Sequence, residues 1–161
     1  KKKKYKIITL TVITMLNVII LTICINNLYI YTKIDKNQEI KHYKNIAIGD
    51  YLKNRINTIG NYVLEKEKEG KKVYVLDAEA AIYMIPLNKY NKDYDMFLIG
   101  NIGKDGEDGQ IEKIKQREEN SIYLIRRKEI EQNWQAPKKV IEYIRNEMTL
   151  IEKINVYEIY E

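Results

Sequence analysis

Two acidic residues, Asp77 and Glu79, stand where α/β proteins commonly place side chains that contact a ligand. They follow the apolar run 73–76, which we predict to be a buried strand. Ligands gather at the carboxyl ends of the strands in parallel α/β sheets, so both residues are candidate ligand-binding residues. The alternative is structural, because Asp77 would also serve as the cap of a helix predicted over residues 78–85.

A glycine-rich loop over residues 100–109 is the second stretch whose residue types could bind a ligand. Four of the seven glycines lie in it at three-residue intervals, after one predicted strand and before a predicted helix. Glycine lets backbone amides approach a ligand closely, and the amino end of a helix favours an anion. The spacing matches neither the dinucleotide fingerprint nor the P-loop. The candidate ligand contacts here are Gly100, Asn101, Gly103, Lys104 and Asp105.

The acidic residues of this loop leave two further interpretations open. Asp105, Glu107 and Asp108 would repel a phosphate, and Lys104 offsets only one of them. Together with Glu112 they offer the oxygen ligands that calcium prefers, but the spacing of an EF-hand loop is absent. The other interpretation is a solvated connection that needs glycine for its turns. We predict neither a metal site nor a cofactor.

The chain offers no arrangement of side chains for nucleophilic catalysis. His42 is the only histidine, Ser121 the only serine and Cys24 the only cysteine. A serine or cysteine nucleophile needs a neighbouring base, and a lone histidine is more typical of a surface residue. We therefore predict no catalytic residue in this chain.

The stretch 7–31 contains no charged residue, and we predict that it is a transmembrane helix that anchors these candidate residues at a membrane. As a helix it would reach roughly 37 Å, enough to cross a hydrocarbon core of about 30 Å. A cleaved signal peptide is the competing interpretation. It is disfavoured because the run exceeds the usual length of about 7 to 15 residues and the first alanine of the chain is Ala47.

The charges around this stretch predict its orientation. Five lysines within residues 1–6 favour a cytoplasmic location for the amino-terminal flank, which places the rest of the chain outside the cytoplasm. The chain has 28 basic and 23 acidic residues, so without these five lysines the two signs are equal in number. Nucleic-acid binding needs a basic face, and this balance removes the case for one, so we expect no nucleic-acid partner.

After a polar connector over residues 32–49, helical and strand patterns alternate along residues 50–161. We predict helices over residues 50–70, 78–85, 111–118 and 137–148. We predict strands over residues 73–76, 96–99, 122–125 and 154–160. Such alternation predicts a small α/β domain with a mainly parallel sheet of about four strands flanked by helices.

Two long stretches carry a family resemblance: KKVYVLDAEAAIYMIPLNKYNKDYDMFLIGNIGKDGEDGQIEKI, followed by NWQAPKKVIEYI and a tyrosine-rich ending. They resemble the carboxyl-terminal soluble region of multi-pass membrane proteins of low-GC Gram-positive bacteria. These proteins are glycosyltransferase-like, of the mannosyltransferase superfamily that uses polyprenyl-phosphate sugars. The resemblance covers roughly residues 71–160. Its most specific sequence segments are VLDAEAA and GNIGKDGEDG.

The resemblance implies a domain that follows a final transmembrane helix and faces outward. In that superfamily the catalytic acid lies in the first extracytoplasmic loop, and no segment here corresponds to it. We therefore expect this chain, which does not begin with methionine, to be the carboxyl-terminal part of a longer protein. The expected partners are the lipid bilayer and a lipid-linked sugar or an envelope component.

Two alternative functions are also consistent with a domain anchored in this way. The first is a single-pass membrane-anchored module that binds or senses a small ligand at the carboxyl edge of its sheet. The second is a structural interaction domain of an envelope assembly, with no ligand of its own. A saturable small-ligand signal would separate the first from the second.

Overall fold

A computed structural model of the chain describes residues 2–33, 36, 39–90, 94, 96–117, 120–130 and 135–161. Within the first helix, side chains are described for residues 11–30. The chain divides into two compact units, residues 1–36 and residues 37–161, and each is described by itself.

The first unit is a single helix, α1, which spans Lys2–Lys33. The predicted apolar helix over residues 7–31 therefore forms. Its segment Thr11–Ile30 has a mean hydropathy of 1.9 and none of it is buried. Twenty residues of helix measure about 30 Å, so this segment is long and apolar enough to serve as a membrane anchor.

The second unit is an α/β domain, as the alternating pattern predicted. Its four-stranded sheet has the order β1-β2-β4-β3. The strands are β1 (Lys72–Leu76), β2 (Ser121–Arg126), β3 (Leu150–Ile154) and β4 (Tyr157–Tyr160). The α-helices are α2 (Asp50–Lys68), α3 (Ala80–Met84), α4 (Gly106–Lys115) and α5 (Lys138–Glu147). Residue 118, where one predicted helix ends, lies outside the described residues.

The sheet is mixed, which corrects the prediction of a mainly parallel one. β1 and β2 are parallel, but β4 runs antiparallel to both β2 and β3. The cause is a hairpin, because Asn155 adopts a φ of 52° and turns the chain between β3 and β4. Asparagine tolerates this left-handed conformation better than most residues. The stretch 154–160, predicted as one strand, is therefore divided by a turn.

The apolar stretch 96–99 is a turn, and the prediction of a strand there is wrong. It leads into the short 3₁₀-helix Ile99–Asn101. The amide of Phe97 donates to the carbonyl of Asp77 at 3.4 Å, so this turn is held against the end of β1. Phe97 itself is buried in the apolar layer formed with α4 and α5. A short apolar run has the same sequence pattern whether it pairs in a sheet or packs as a turn.

Helices cover both faces of the sheet, which is why nearly every residue of β2 is buried. One face packs against α2 and α3, and the other packs against α4 and α5. The predicted apolar stripe of α2 is buried at Ile56, Ile59 and Val63. Burying an aliphatic side chain of this size stabilises a fold by about 1.5–3 kcal/mol. The two packed faces leave the carboxyl ends of β1 and β2 at one edge of the domain.

Candidate functional site

Asp77 is the first residue after β1, and it is buried although it carries a carboxylate. Its side chain is only 4 % exposed. Oδ2 accepts hydrogen bonds from Nε of Arg126 at 2.7 Å and from the hydroxyl of Tyr157 at 2.5 Å. Oδ1 accepts the backbone amide of Glu79 at 3.1 Å. A carboxylate has about four acceptor positions, so three of those on Asp77 are occupied.

Arg126 reaches Asp77 because of the register of the two parallel strands. Leu76 pairs with Ile125, so the next residue of each strand emerges at the same edge of the sheet. Burial lowers the pKa of the Arg126 guanidinium, but the hydrogen bond and the charge of Asp77 outweigh that effect and raise it above its usual value. Arg126 is therefore a permanent cation at this edge.

Glu79 lies between two arginines. Its Oε2 is 2.7 Å from Nη2 of Arg55, which comes from α2, and 2.8 Å from Nη2 of Arg126. The side chain of Glu79 is 42 % exposed, whereas that of Arg55 is only 11 % exposed. Glu79 is therefore the member of this network that solvent, or a ligand, can reach most easily.

Two buried tyrosines contact the charged groups, Tyr157 at Asp77 and Tyr83 at Arg55. The rings of Tyr83 and Tyr157 meet edge to face, with their centroids 5.8 Å apart. Burial raises the pKa of Tyr83 to about 12. Burial, followed by the negative charge of Asp77, raises the pKa of Tyr157 well above its usual value. Both hydroxyls are thus held in their protonated form, in which Tyr157 donates to Asp77.

A cleft of about 160 Å³ opens beside this network. One wall carries the polar side chains of Asp77, Glu79 and Arg126. The rest of the wall is apolar and is made of Leu76, Ala78, Phe97, Ala136 and Ile141. Small-molecule sites commonly combine an apolar surface with a few placed polar groups. This cleft offers carboxylate acceptors, guanidinium donors and an apolar surface within one small volume.

The structure brings Asp77 and Glu79 together but leaves the glycine-rich loop outside the cleft. Gly100, Asn101, Gly103, Lys104 and Asp105 are all exposed, and none of them is among the described residues that line the cleft. The stretch 96–109 contributes Phe97 to the cleft instead. Phe97 lines the cleft and is close in sequence to the loop, but no residue of the loop itself lines the cleft.

The glycine-rich loop has structural contacts of its own. The amide nitrogen of the Asn101 side chain donates to the carbonyl of Met96 at 3.1 Å. Gly103 and Gly106 adopt φ values of 89° and 59°, which favour glycine. These geometries position the loop and the start of α4.

A residue of this loop region also caps a neighbouring helix. Glu107 in α4 accepts the backbone amide of Lys139, in the first turn of α5, at 2.8 Å. A carboxylate at that position satisfies an amide that has no partner within the helix, and it also suits the positive end of the helix dipole. Glu107 therefore ties α4 to α5.

Sequence reasoning missed Arg126, Arg55, Tyr157 and Phe97 as members of the site. Arg126 carried a usable signal, because it directly follows the predicted strand 122–125 and so belongs at the same edge as Asp77. The sequence gives no such signal for Tyr157, because its position opposite Arg126 depends on the antiparallel pairing of β4 with β2. Arg55 lies on a helix whose position against the sheet cannot be obtained from its own sequence.

Comparisons of the chain with protein-family models, with curated proteins and with solved structures found no match. The function is therefore inferred from the chain itself.

Proposed function

We propose that this chain is an extracytoplasmic accessory domain of a membrane protein that transfers sugars from lipid-linked donors. In this proposal α1 anchors the domain in the cell membrane, and the cleft beside Asp77 binds the sugar-bearing part of the donor. The catalytic residues would belong to another part of the same protein.

The observation that carries the proposal is the composition of the cleft. Sugar hydroxyls both donate and accept hydrogen bonds, and Glu79 and Arg126 present one acceptor group and one donor group side by side. The guanidinium of Arg126 also suits a phosphate, the group that joins sugar and lipid in such donors. The apolar wall that includes Phe97 gives the less polar face of a sugar a surface to contact.

The expected location rests on the anchor and on the resemblance. The five lysines that precede the apolar segment favour a cytoplasmic amino-terminal flank, and the domain would then face outward. The resemblance to carboxyl-terminal regions of glycosyltransferase-like proteins implies the same side. Two independent arguments therefore support one orientation.

A binding role fits the site better than a catalytic one. A general acid or base must be able to exchange a proton with the substrate, which requires an accessible group. Asp77 is buried, and three of its acceptor positions are already used within the domain. Asp77 thus suits the role of holding Arg126 in place, while Glu79 and Arg126 contact the ligand.

A titration of the full chain in lipid nanodiscs tests this proposal. The probe is a polyprenyl-phosphate mannose, and the matched probe is the same polyprenyl phosphate without the sugar. We expect saturable binding of the mannosylated lipid and clearly weaker binding of the sugar-free lipid. Equal binding of the two lipids would contradict a sugar site, and the absence of any saturable signal would contradict ligand binding altogether.

A structural role in an envelope assembly is the second candidate, and one observation favours it. The hydrogen bonds of Asp77 all lie within the domain and join β1, β2 and β4. Such a network can serve stability alone. In that case neither lipid would bind to the cleft.

A further inference from the structure

A second cleft lies between helix α2 and the outer strand β3, and we call it the α2–β3 groove. Its volume is about 380 Å³. Its lining includes Tyr62, Glu65 and Lys66 from α2 and Glu152 and Ile154 from β3. No described residue lines both this groove and the cleft beside Asp77. The groove is therefore a separate candidate site.

The helical period and a bulge in β3 direct the polar side chains into this groove. Glu65 follows Tyr62 by three residues in α2, so the two lie on one face of the helix. The register between β3 and β4 shifts after Leu150, which places Glu152 opposite Ile159. Residues directly opposite each other share a face of the sheet, and Ile159 belongs to the apolar layer packed against α2. Glu152 is therefore on the face that α2 covers.

The groove contains more carboxylates than cations. Glu65 and Glu152 form no ion pair with any residue that the structure describes. Lys66 is already engaged, because its Nζ lies 3.0 Å and 2.9 Å from the two carboxylate oxygens of Glu69. With that pair counted as neutral, Glu65 and Glu152 leave two negative charges at the groove. Such a surface favours a cationic ligand.

The hydroxyl of Tyr62 is a second and independent feature of the groove. Tyr62 is only 6 % exposed, and its buried hydroxyl makes no hydrogen bond within the described part of the chain. Burial, followed by the negative charge of Glu152, raises the pKa of Tyr62 to about 12, so the hydroxyl stays protonated beside that carboxylate. Buried hydroxyls normally have a hydrogen-bond partner. Tyr62 thus holds hydrogen-bonding capacity that the domain itself does not use.

We propose that the α2–β3 groove binds a protonated primary amine, the group that lysine side chains and small aliphatic amines carry. An ammonium group has three donors and no acceptor. Glu65 and Glu152 supply charged acceptors from the two sides of the groove, and the hydroxyl oxygen of Tyr62 supplies the third. Ile154 gives the methylene groups beside the amine an apolar surface. The inference depends neither on the sugar site nor on the membrane anchor.

Calorimetric titration of the full chain in nanodiscs of zwitterionic lipid tests this site at pH 7. The probe is 1,5-diaminopentane, and the matched uncharged probe is 1,5-pentanediol, which has the same carbon chain. We expect saturable binding of the diamine that weakens as salt is added, and no saturable binding of the diol. A blocked tripeptide with lysine at its centre is the third probe. Binding of the tripeptide would identify lysine side chains as the source of the amine, and binding of the diamine alone would identify free amines.

Substitutions identify the groups that bind the amine. Glu65→Gln and Glu152→Gln should each weaken binding of the diamine about tenfold, the loss of one charged hydrogen bond. Tyr62→Phe should weaken it about fivefold and leave the midpoint of urea unfolding unchanged, because the hydroxyl it removes has no partner in the domain. Glu112→Gln, on the exposed surface of α4, is the matched control and should bind like the native chain.

Three results would overturn the inference. They are the absence of saturable binding by either amine, equal binding of the diamine and the diol, and equal affinity of the native chain and Glu152→Gln. A lower unfolding midpoint for Tyr62→Phe would also count against it, since the hydroxyl would then be used within the domain. The titration with lipid-linked mannose tests the sugar site separately, so failure of one site leaves the other standing.

Discussion

Nε of Arg126 lies 2.7 Å from Oδ2 of Asp77, and this ion pair joins the carboxyl ends of two parallel strands. The same carboxylate oxygen accepts the hydroxyl of Tyr157 from the antiparallel strand β4. Asp77 therefore fastens three neighbouring strands at one edge of the sheet and fixes the guanidinium that faces the cleft. We therefore expect the stability of the domain and the shape of the candidate site to depend on this one buried carboxylate.

Removing that carboxylate should destabilise the domain strongly. Asp77→Ala leaves the buried hydroxyl of Tyr157 without its acceptor and leaves Arg126 with Glu79 alone, and an unsatisfied buried polar group costs about 1–3 kcal/mol. Urea unfolding of the full chain in detergent measures this loss. The matched control is Asp105→Ala, an exposed position whose substitution should change stability by about 0.5 kcal/mol or less. Equal stability of the two variants would show that Asp77 does not fasten the sheet.

The stability of the domain should fall at high pH because of its buried tyrosines. Burial raises the pKa of Tyr83 from 10.0 to about 12, so the unfolded chain loses this proton at a lower pH than the folded chain. The stabilisation is complete below pH 10 and is lost as the pH rises towards 12, by up to about 1.4 kcal/mol per pH unit.

The variant Tyr83→Phe isolates this effect, since it removes the hydroxyl and keeps the ring. Urea unfolding at pH 9, 10 and 11 should show a shallower loss of stability above about pH 10 for the variant than for the native chain. Parallel pH profiles of the two proteins would mean that Tyr83 is not protected from ionisation in the folded state.

Two glycine substitutions in the segment before α4 should differ in their effect on stability because of backbone conformation. Gly103 has a φ of 89°, so Gly103→Ala should cost about 1–2 kcal/mol even though there is space for a methyl group. Gly100 has neither a positive φ nor a neighbour within 4 Å of an added methyl group, and Gly100→Ala should be close to neutral. Thermal unfolding of both variants tests this difference, and a larger loss for Gly100→Ala would refute it.

The elements with strong local signals could be predicted from the sequence. The uncharged stretch in α1 and the spacing of Ile56, Ile59 and Val63 in α2 each specify a helix by periodicity or length alone. The strand before Asp77 could be predicted because it is short, apolar and flanked by turn residues. Asp77 and Glu79 were predicted as candidate ligand-binding residues because they come directly after this strand, and the structure places both on the cleft.

The remaining features depend on contacts between distant residues. Asn155 divides the last strand, and nothing in the sequence distinguishes it from the other asparagines of this asparagine-rich chain. Phe97 belongs to a short apolar run with the sequence pattern of a buried strand, but Phe97 is the one buried residue of that run. The side chains that bind Asp77 are 49 and 80 residues away, at Arg126 and Tyr157. Only the pairing of three strands brings these side chains together.

The proposed orientation predicts which side of the membrane each end of the chain can be labelled from. In a Cys24→Ser background, Lys104→Cys in the exposed loop should react with a membrane-impermeant maleimide on intact cells. Lys4→Cys, in the lysine-rich flank, should react only after the cells are permeabilised. The reverse pattern would place the domain in the cytoplasm and contradict the proposed role.

The most direct test of the sugar site compares two glutamate variants in the nanodisc titration with polyprenyl-phosphate mannose. Glu79→Gln keeps the size of a cleft side chain but removes its charge, while Glu112→Gln does the same on the exposed surface of α4. We predict about tenfold weaker binding for Glu79→Gln, the loss of one charged hydrogen bond, and unchanged binding for Glu112→Gln. Equal affinity of both variants and the native chain would contradict the assignment of the cleft as the sugar site.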